Sequence, residues 1–415
     1  MFDPYLEAWL KYPATRRQAL ELLSLTAMIA SGKRTAAAAE SIPTQTPAPT
    51  SPQAPPNHTK PDDSALDEAL ALLQRAEPVA KGGMSTHAPM AAEALCALGA
   101  SGQIMTWIDK YAAPPLQIPV ASTPIRRDEW RSLLGPRLGT ATWEQANPRW
   151  ADWREFFLAE LTETRWQDLL DTWVGRLAPG MSGAATHGVI RTAHAVRGLS
   201  RRDTPARRGE LARGLAYWAS AYEELPARRG TREPTATYAQ ALAFVPLYWE
   251  AFGKKPEGSN IVETLRHVAE LDTFANARDL VEQPADTGAA ISALTATFAH
   301  VYLRNGTQGD TIAFVHAVTG PCSLRRIAPH VKPETARAAL PYAWQSAAAI
   351  YAAYAHGRDE RRDPEPKLGP AELAAAAIVN GDEHAIKFTE VMLAEHQLNP
   401  DPVYLAAAQD ACSRL

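Results

Sequence analysis

The sequence is short of cysteine. Cys96, Cys322 and Cys412 lie far apart in 415 residues, which excludes a disulfide framework and a zinc-ribbon spacing. It also lacks a basic surplus. Forty-two lysines and arginines stand against 46 aspartates and glutamates, a net charge of −4. Nucleic-acid binders carry the opposite balance, so no nucleic-acid partner is expected. No uninterrupted run of 18 apolar residues occurs, so no stable membrane span is expected. Runs of β-branched residues are scarce, and no fixed-period repeat points to a solenoid. There is no G-x-S-x-G elbow, no H-E-x-x-H pair and no G-x-G-x-x-G after a strand.

What the chain does have is alanine and helical periodicity. Apolar residues make up 46% and charged residues 21%, enough for a large core. The expected fold is all-α: a multi-helix, bundle-like single domain over about residues 65–415, enclosing a buried metal or active-site cavity. Helices are expected from Ser64 as N-cap, from Ser85 to Leu98, and over 104–112. Further helices are expected over 151–176, 182–199, 207–223, 235–252, 258–281, 286–304, 308–327, 334–355, 370–380, 382–396 and 401–413.

The first 65 residues have a different character. Arg16-Arg17, the apolar stretch Leu22 to Ala30 and the small-residue run Ala36 to Ala39 resemble a twin-arginine export signal. Asp3, Glu7 and Glu21 depart from that pattern, and an N-terminal amphipathic helix is the other reading of residues 1–40. Location therefore stays open between the cytoplasm and the periplasm or exterior. Residues 41–64 hold seven prolines among serines and threonines and read as an extended linker.

Four of the eleven histidines share a local form. His87 opens a helix in Ser85-Thr86-His87-Ala88-Pro89-Met90. His187 begins His187-Gly188-Val189-Ile190-Arg191, inside a helix opened by Ser182. His316 lies in Phe314-Val315-His316-Ala317-Val318, and His384 in Asp382-Glu383-His384-Ala385-Ile386-Lys387. A helical bundle can aim one side chain from each of several helices at a common point, and neutral imidazole ligates iron, zinc, copper or nickel. The competing reading is four separate core histidines, each bonded to a carbonyl. Lys387 shares a helical face with His384 at i, i+3. Burial would lower its pKa and leave an amine able to take up CO₂ as a carbamate. Snorkelling to solvent is the alternative.

The segments STHAPMAAEALCALGA, HGVIRTAHAVR, FVHAVTG and GDEHAIKFTE resemble the questin oxidase-like family, from about residue 65 to the C-terminus. These are helical oxygenases of aromatic polyketide pathways. The resemblance implies a mononuclear non-haem iron, Fe(II), and O₂ acting on a small aromatic, quinone-like substrate. The outcome would be Baeyer–Villiger-like oxidation or ring cleavage. Carried over by motif, His87, His187, His316 and His384 would be the ligands, with carboxylated Lys387 as the fifth. NADPH enters some family reactions, although no Rossmann signature supplies a site for it here.

Other residues carry weaker expectations. His194, seven residues after His187, reads as lining the pocket or supporting a ligand. His300 is the substitute ligand should one assignment fail. Seven of the eleven tryptophans fall between Trp107 and Trp173, as core packing, with one or two available to stack on a polycyclic substrate. Arg191, Arg197, Arg201, Arg202, Arg207, Arg208 and Arg213 read as a solvated stretch, or as a dock for an anion. Asp382 and Glu383 read as helix cap and first-turn acid, or as acceptors for a ligand histidine. Cys96 and Cys322 read as inert core thiols. Two other functions remain: a metal-dependent hydrolase, and a non-catalytic helical binding protein.

Overall fold

The computed structural model describes residues 64–74, 85–111, 120–135, 149–228, 234, 237–306, 310–358 and 364–415. All of them belong to one compact unit, His58–Leu415. The readings made for residues 1–40 and 41–63 lie outside the described residues. Ser64 is the first residue of a helix.

Seventeen α-helices and several short 3₁₀ segments make up the described fold, with no strand among them. In chain order they are α1 (Ser64–Leu73), α2 (Ala88–Ala97), α3 (Ile104–Lys110), α4 (Trp150–Glu163), α5 (Trp166–Leu177), α6 (His187–Arg201), α7 (Pro205–Ser220), α8 (Tyr238–Leu242), α9 (Tyr248–Phe252), α10 (Ile261–Arg266), α11 (Thr287–Asn305), α12 (Thr311–Cys322), α13 (Leu324–Ile327), α14 (Pro333–Tyr354), α15 (Pro370–Asn380), α16 (Glu383–Leu398) and α17 (Pro402–Arg414). None is long and apolar enough to cross a membrane.

Local chemistry sets many of the ends. Thr204, Asp286, Asp382 and Asp401 accept first-turn backbone N–H groups at the starts of α7, α11, α16 and α17. Pro205, Pro333, Pro370 and Pro402 occupy first helical positions, where a missing N–H is harmless. The expected helix 151–176 is broken at Thr164 and Arg165, which turn extended between α4 and α5. The expected 235–252 is two single-turn helices around Pro246, whose ring cannot continue a helix. The expected 258–281 begins as α10 and continues as 3₁₀ turns.

Small residues let long helices pack closely. The buried face of α14 reads Ala336, Ala339, Ala343, Ala347 and Ile350, with Trp344 fully enclosed. The aromatic-rich region forms its own packing unit. Trp153, Phe156, Phe157 and Trp173 meet edge-on or stacked, with centroids 4.8–5.7 Å apart. These rings stabilise one another across α4 and α5 as core.

Four helices decide the site. α2 packs on α6 and on α16, and α12 packs on α6 and on α16. Each carries one of the four singled-out histidines at or next to it.

Candidate metal centre

The sequence places each histidine differently on its helix. His87 is the residue before α2, and its backbone N–H donates to the Tyr111 hydroxyl at 3.1 Å. His187 is the first residue of α6. His316 sits in the middle of α12. His384 is the second residue of α16, where Asp382 caps the helix by accepting from the N–H groups of His384 (2.7 Å) and Ala385 (3.0 Å).

The four rings converge. His187 Nε2 lies 2.7 Å from His87 Nε2 and 3.1 Å from His316 Nε2. The His87 and His384 rings meet edge-on at 4.4 Å, and one donor nitrogen each from His87, His316 and His384 fall within 4.8 Å of one another. All four are buried. His300, on α11, is half-buried and is not one of the converging rings.

The protonation pattern follows from the hydrogen bonds. His187 Nδ1 donates to the Ala184 carbonyl at 2.6 Å, and His316 Nδ1 donates to the Ile312 carbonyl at 2.7 Å. A neutral imidazole has one N–H. Both Nε2 atoms are therefore bare lone pairs, facing each other at 3.1 Å with no proton to share. Extra protons are disfavoured. Burial, then Lys387, lowers His187 to about 3, and burial followed by nearby positive groups holds His87 and His316 well below the usual imidazole value.

Facing lone pairs repel each other unless a cation lies near both. Nitrogens bound at about 2.1 Å to one metal in tetrahedral or octahedral order stand roughly 3–3.4 Å apart. The observed separations approach that range, and the donor set suits iron, zinc, copper or nickel. His87 Nδ1 is buried without a hydrogen bond, although Glu383 Oε1 is 3.4 Å away. His384 Nδ1 has Asp382 and Glu383 at 3.6 and 3.9 Å. Of the carboxylates read from sequence as cap or support, Asp382 caps α16, and Glu383 lies 3.4 Å from His87 Nδ1 and 3.9 Å from His384 Nδ1 without a hydrogen bond to either.

Lys387 is 3% exposed on the buried face of α16. Burial lowers its pKa to about 8, partly opposed by Glu383 and Asp382. The head does not reach water, so the snorkelling alternative does not hold.

His187 owes its orientation to an unusual turn. Ala184, Ala185 and Thr186 have φ of 48°, 53° and 67°, three consecutive non-glycine residues in the left-handed region. The expected helix running on from Ser182 therefore fails. Ser182 Oγ donates to the Glu223 carbonyl at 2.8 Å, and a Cβ on Gly183 would lie 1.9 Å from the Ala221 carbonyl oxygen. That contact fixes the chain against the end of α7. The left-handed turn then carries the Ala184 carbonyl onto His187 Nδ1. Such strain gathers at functional sites. Gly320, one turn beyond His316, leaves room for the turn, since a Cβ there would come within 2.7 Å of Thr186 Oγ1. That hydroxyl is buried without a partner. Thr186→Val, which keeps the shape and removes the unpaired group, is expected to raise unfolding free energy by about 1 kcal/mol in a denaturant titration. A loss of similar size would show that the hydroxyl has a partner.

His194 faces away from the four rings. Its Nδ1 is 2.7 Å from Glu93 Oε2, and burial lowers its pKa to about 4, Arg326 adding to the shift. Glu93 also accepts from Arg197 at 2.6 and 2.7 Å, and Glu390 accepts from Arg197 and Arg326. Burial alone would raise Glu93, but Arg197 and His194 hold it well below the usual carboxylate range. This network joins α2, α6, α13 and α16 just beyond the histidines. The sequence reading of the arginines as a solvated stretch holds for Arg201, Arg202 and Arg208, which are exposed, and is corrected for the rest: the segment is mostly α6 and α7, Arg191, Arg207 and Arg213 are buried, and Arg197 is half-buried. Each buried arginine reaches a carboxylate or carbonyl distant in sequence, which periodicity does not reveal. Cys96 and Cys322 are buried as expected, and burial pushes Cys322 up to about 12.

No known protein family and no curated protein matches this chain by sequence. The class shown is an all-α protein with a buried histidine cluster whose geometry could hold a metal ion.

Proposed function

We propose that the chain is a non-haem iron oxygenase that oxidises or cleaves a small aromatic, quinone-like substrate with O₂. One observation carries the reading: four buried imidazole rings converge, and the Nε2 atoms of His187 and His316 face each other at 3.1 Å with no proton between them. The resemblance of four segments, in order, to the questin oxidase-like family supplies the reaction class. His87, His187, His316 and His384 would hold the metal. The Lys387 ammonium would lose one proton to free its lone pair, the nitrogen would bond to the CO₂ carbon, and a second N–H proton would leave to give the carbamate anion, both protons passing to solvent. The carbamate oxygen would then serve as a fifth ligand.

Ferrous iron bound there would supply O₂ activation. The chain's own residues supply the setting. The Ala184 and Ile312 carbonyls hold two rings in the tautomer that presents Nε2. Glu383 lies where it can accept a proton from His87 Nδ1 if that nitrogen carries one. Close packing of α2, α6, α12 and α16 limits water, which strengthens charge interactions inside. No Rossmann signature accompanies the site, so any NADPH requirement would be met elsewhere.

The test is metal content of anaerobically purified protein, followed by O₂ uptake with a polycyclic quinone. About one iron per chain and substrate-dependent uptake support the oxygenase. Tightly held zinc with ester or amide cleavage would favour a hydrolase instead. Neither metal nor turnover after Fe(II) reconstitution would leave a binding protein.

A further inference from the structure

Arg191 lies one turn from His187 on α6 and is 1% exposed. Glu210 on α7 holds it in a two-pronged pair, from Nε at 2.6 Å and Nη2 at 3.0 Å. The third nitrogen, Nη1, is buried with no acceptor among the described residues. A buried charged donor left unmatched is expensive, and such groups call for a ligand, ion or water.

The surroundings have the same polarity. Trp150 Nε1 and Trp218 Nε1 are also buried donors without partners among the described residues. The Arg213 guanidinium lies 5.5 Å over the Trp150 ring. On the side nearest the histidines, Ser85 and Tyr217 share a hydrogen bond of 2.6 Å between their hydroxyls. Ser85 is two residues from His87. The backbone of α6 at Gly188 packs against Trp218 and that at Thr192 against Gly214, which brings the turn of α7 that carries Tyr217 alongside the turn of α6 that carries Arg191; burial pushes the Tyr217 hydroxyl up to about 12, against the pull of Ser85 and of Arg191. The group is rich in donors, and it adjoins two of the four histidine segments.

We propose that Arg191, with Tyr217 and Ser85, forms an oxyanion subsite beside the histidine cluster, taking a carboxylate or phenolate oxygen of a small aromatic substrate. Glu210 fixes the guanidinium plane so that Nη1 is the arm left for the ligand. An ionised oxygen supplies the missing acceptor through a charge-assisted bond, shorter and stronger than the one a neutral oxygen makes. The sequence reading that these arginines dock an anion is thereby narrowed to one residue and one chemistry. The proposal names the substrate class of the oxygenase reading and rests on it in that respect.

The test uses the full chain stripped of metal, so that a failed iron site and a failed anion subsite are told apart. Benzoate and its neutral counterpart benzamide are titrated by calorimetry and by tryptophan fluorescence. Benzoate is expected to bind at least about tenfold more tightly. The double variant Arg191→Gln with Glu210→Gln removes both buried charges together, and circular dichroism checks its fold. It is expected to lose the preference. Tyr217→Phe, which unfolds nothing charged, is expected to weaken benzoate about threefold or more and leave benzamide unchanged. Equal binding of the two probes, no benzoate binding, a folded double variant that keeps the preference, or Tyr217→Phe binding benzoate as the parent does would each overturn the proposal.

Discussion

His316→Ala is expected to reduce iron from about one per chain to below roughly 0.2 after anaerobic reconstitution, and substrate-dependent O₂ uptake with it. The size of the effect follows from position. His316 is central in α12, its Nδ1 is committed to Ile312, and its Nε2 faces the Nε2 of His187. Alanine removes that donor without touching a helix end or a cap. The fold should survive, because α12 keeps its packing through Phe314, Val315, Ala317 and Val318, all buried. His300→Ala is the control, since that ring is not one of the converging four. Iron retained in His316→Ala and lost in His300→Ala would reverse the assignment. Iron retained in both would remove the four-histidine centre.

The largest stability effect is expected at Glu390. Its carboxylate is 4% exposed and accepts from Arg197 and from Arg326, which is itself largely buried. Glu390→Ala leaves two guanidinium groups short of a counter-charge. Removing one partner of a buried pair typically destabilises by about 3–5 kcal/mol. Chemical denaturation followed by circular dichroism measures it. A matched exposed pair gives the contrast: Arg126→Ala, which separates Arg126 from Asp128 on the surface, is expected to leave the denaturation midpoint unchanged. Glu390→Ala should also weaken metal retention. The network ties α2, α6, α13 and α16, and α13 follows α12 after the single residue Ser323. A loss below about 1 kcal/mol would mean that the surrounding arginines relax to solvent or to Glu93.

Much of this protein was legible in the sequence because the relevant physics is local. Alanine-rich 3.6-residue periodicity, together with proline and aspartate at helix starts, determined an all-α fold and most helix positions. The form of the four histidine segments marked His87, His187, His316 and His384, and the i, i+3 spacing put Lys387 on the face of His384. What the tertiary structure decided depends on chain segments far apart. His87 and His187 are a hundred positions apart, and no spacing rule states that they meet at 2.7 Å. The left-handed turn at Ala184–Thr186 contradicts local preference, since alanine and threonine disfavour it. It exists because the chain is pinned against the end of α7 and Gly320 leaves it space. Burial reversed the reading of the arginines for the same reason: helical periodicity says which face a residue occupies, whereas the carboxylates that let Arg191 and Arg197 go inside come from other helices. Local sequence determined the helices and their histidines, and long-range packing determined which nitrogens and which charges face one another.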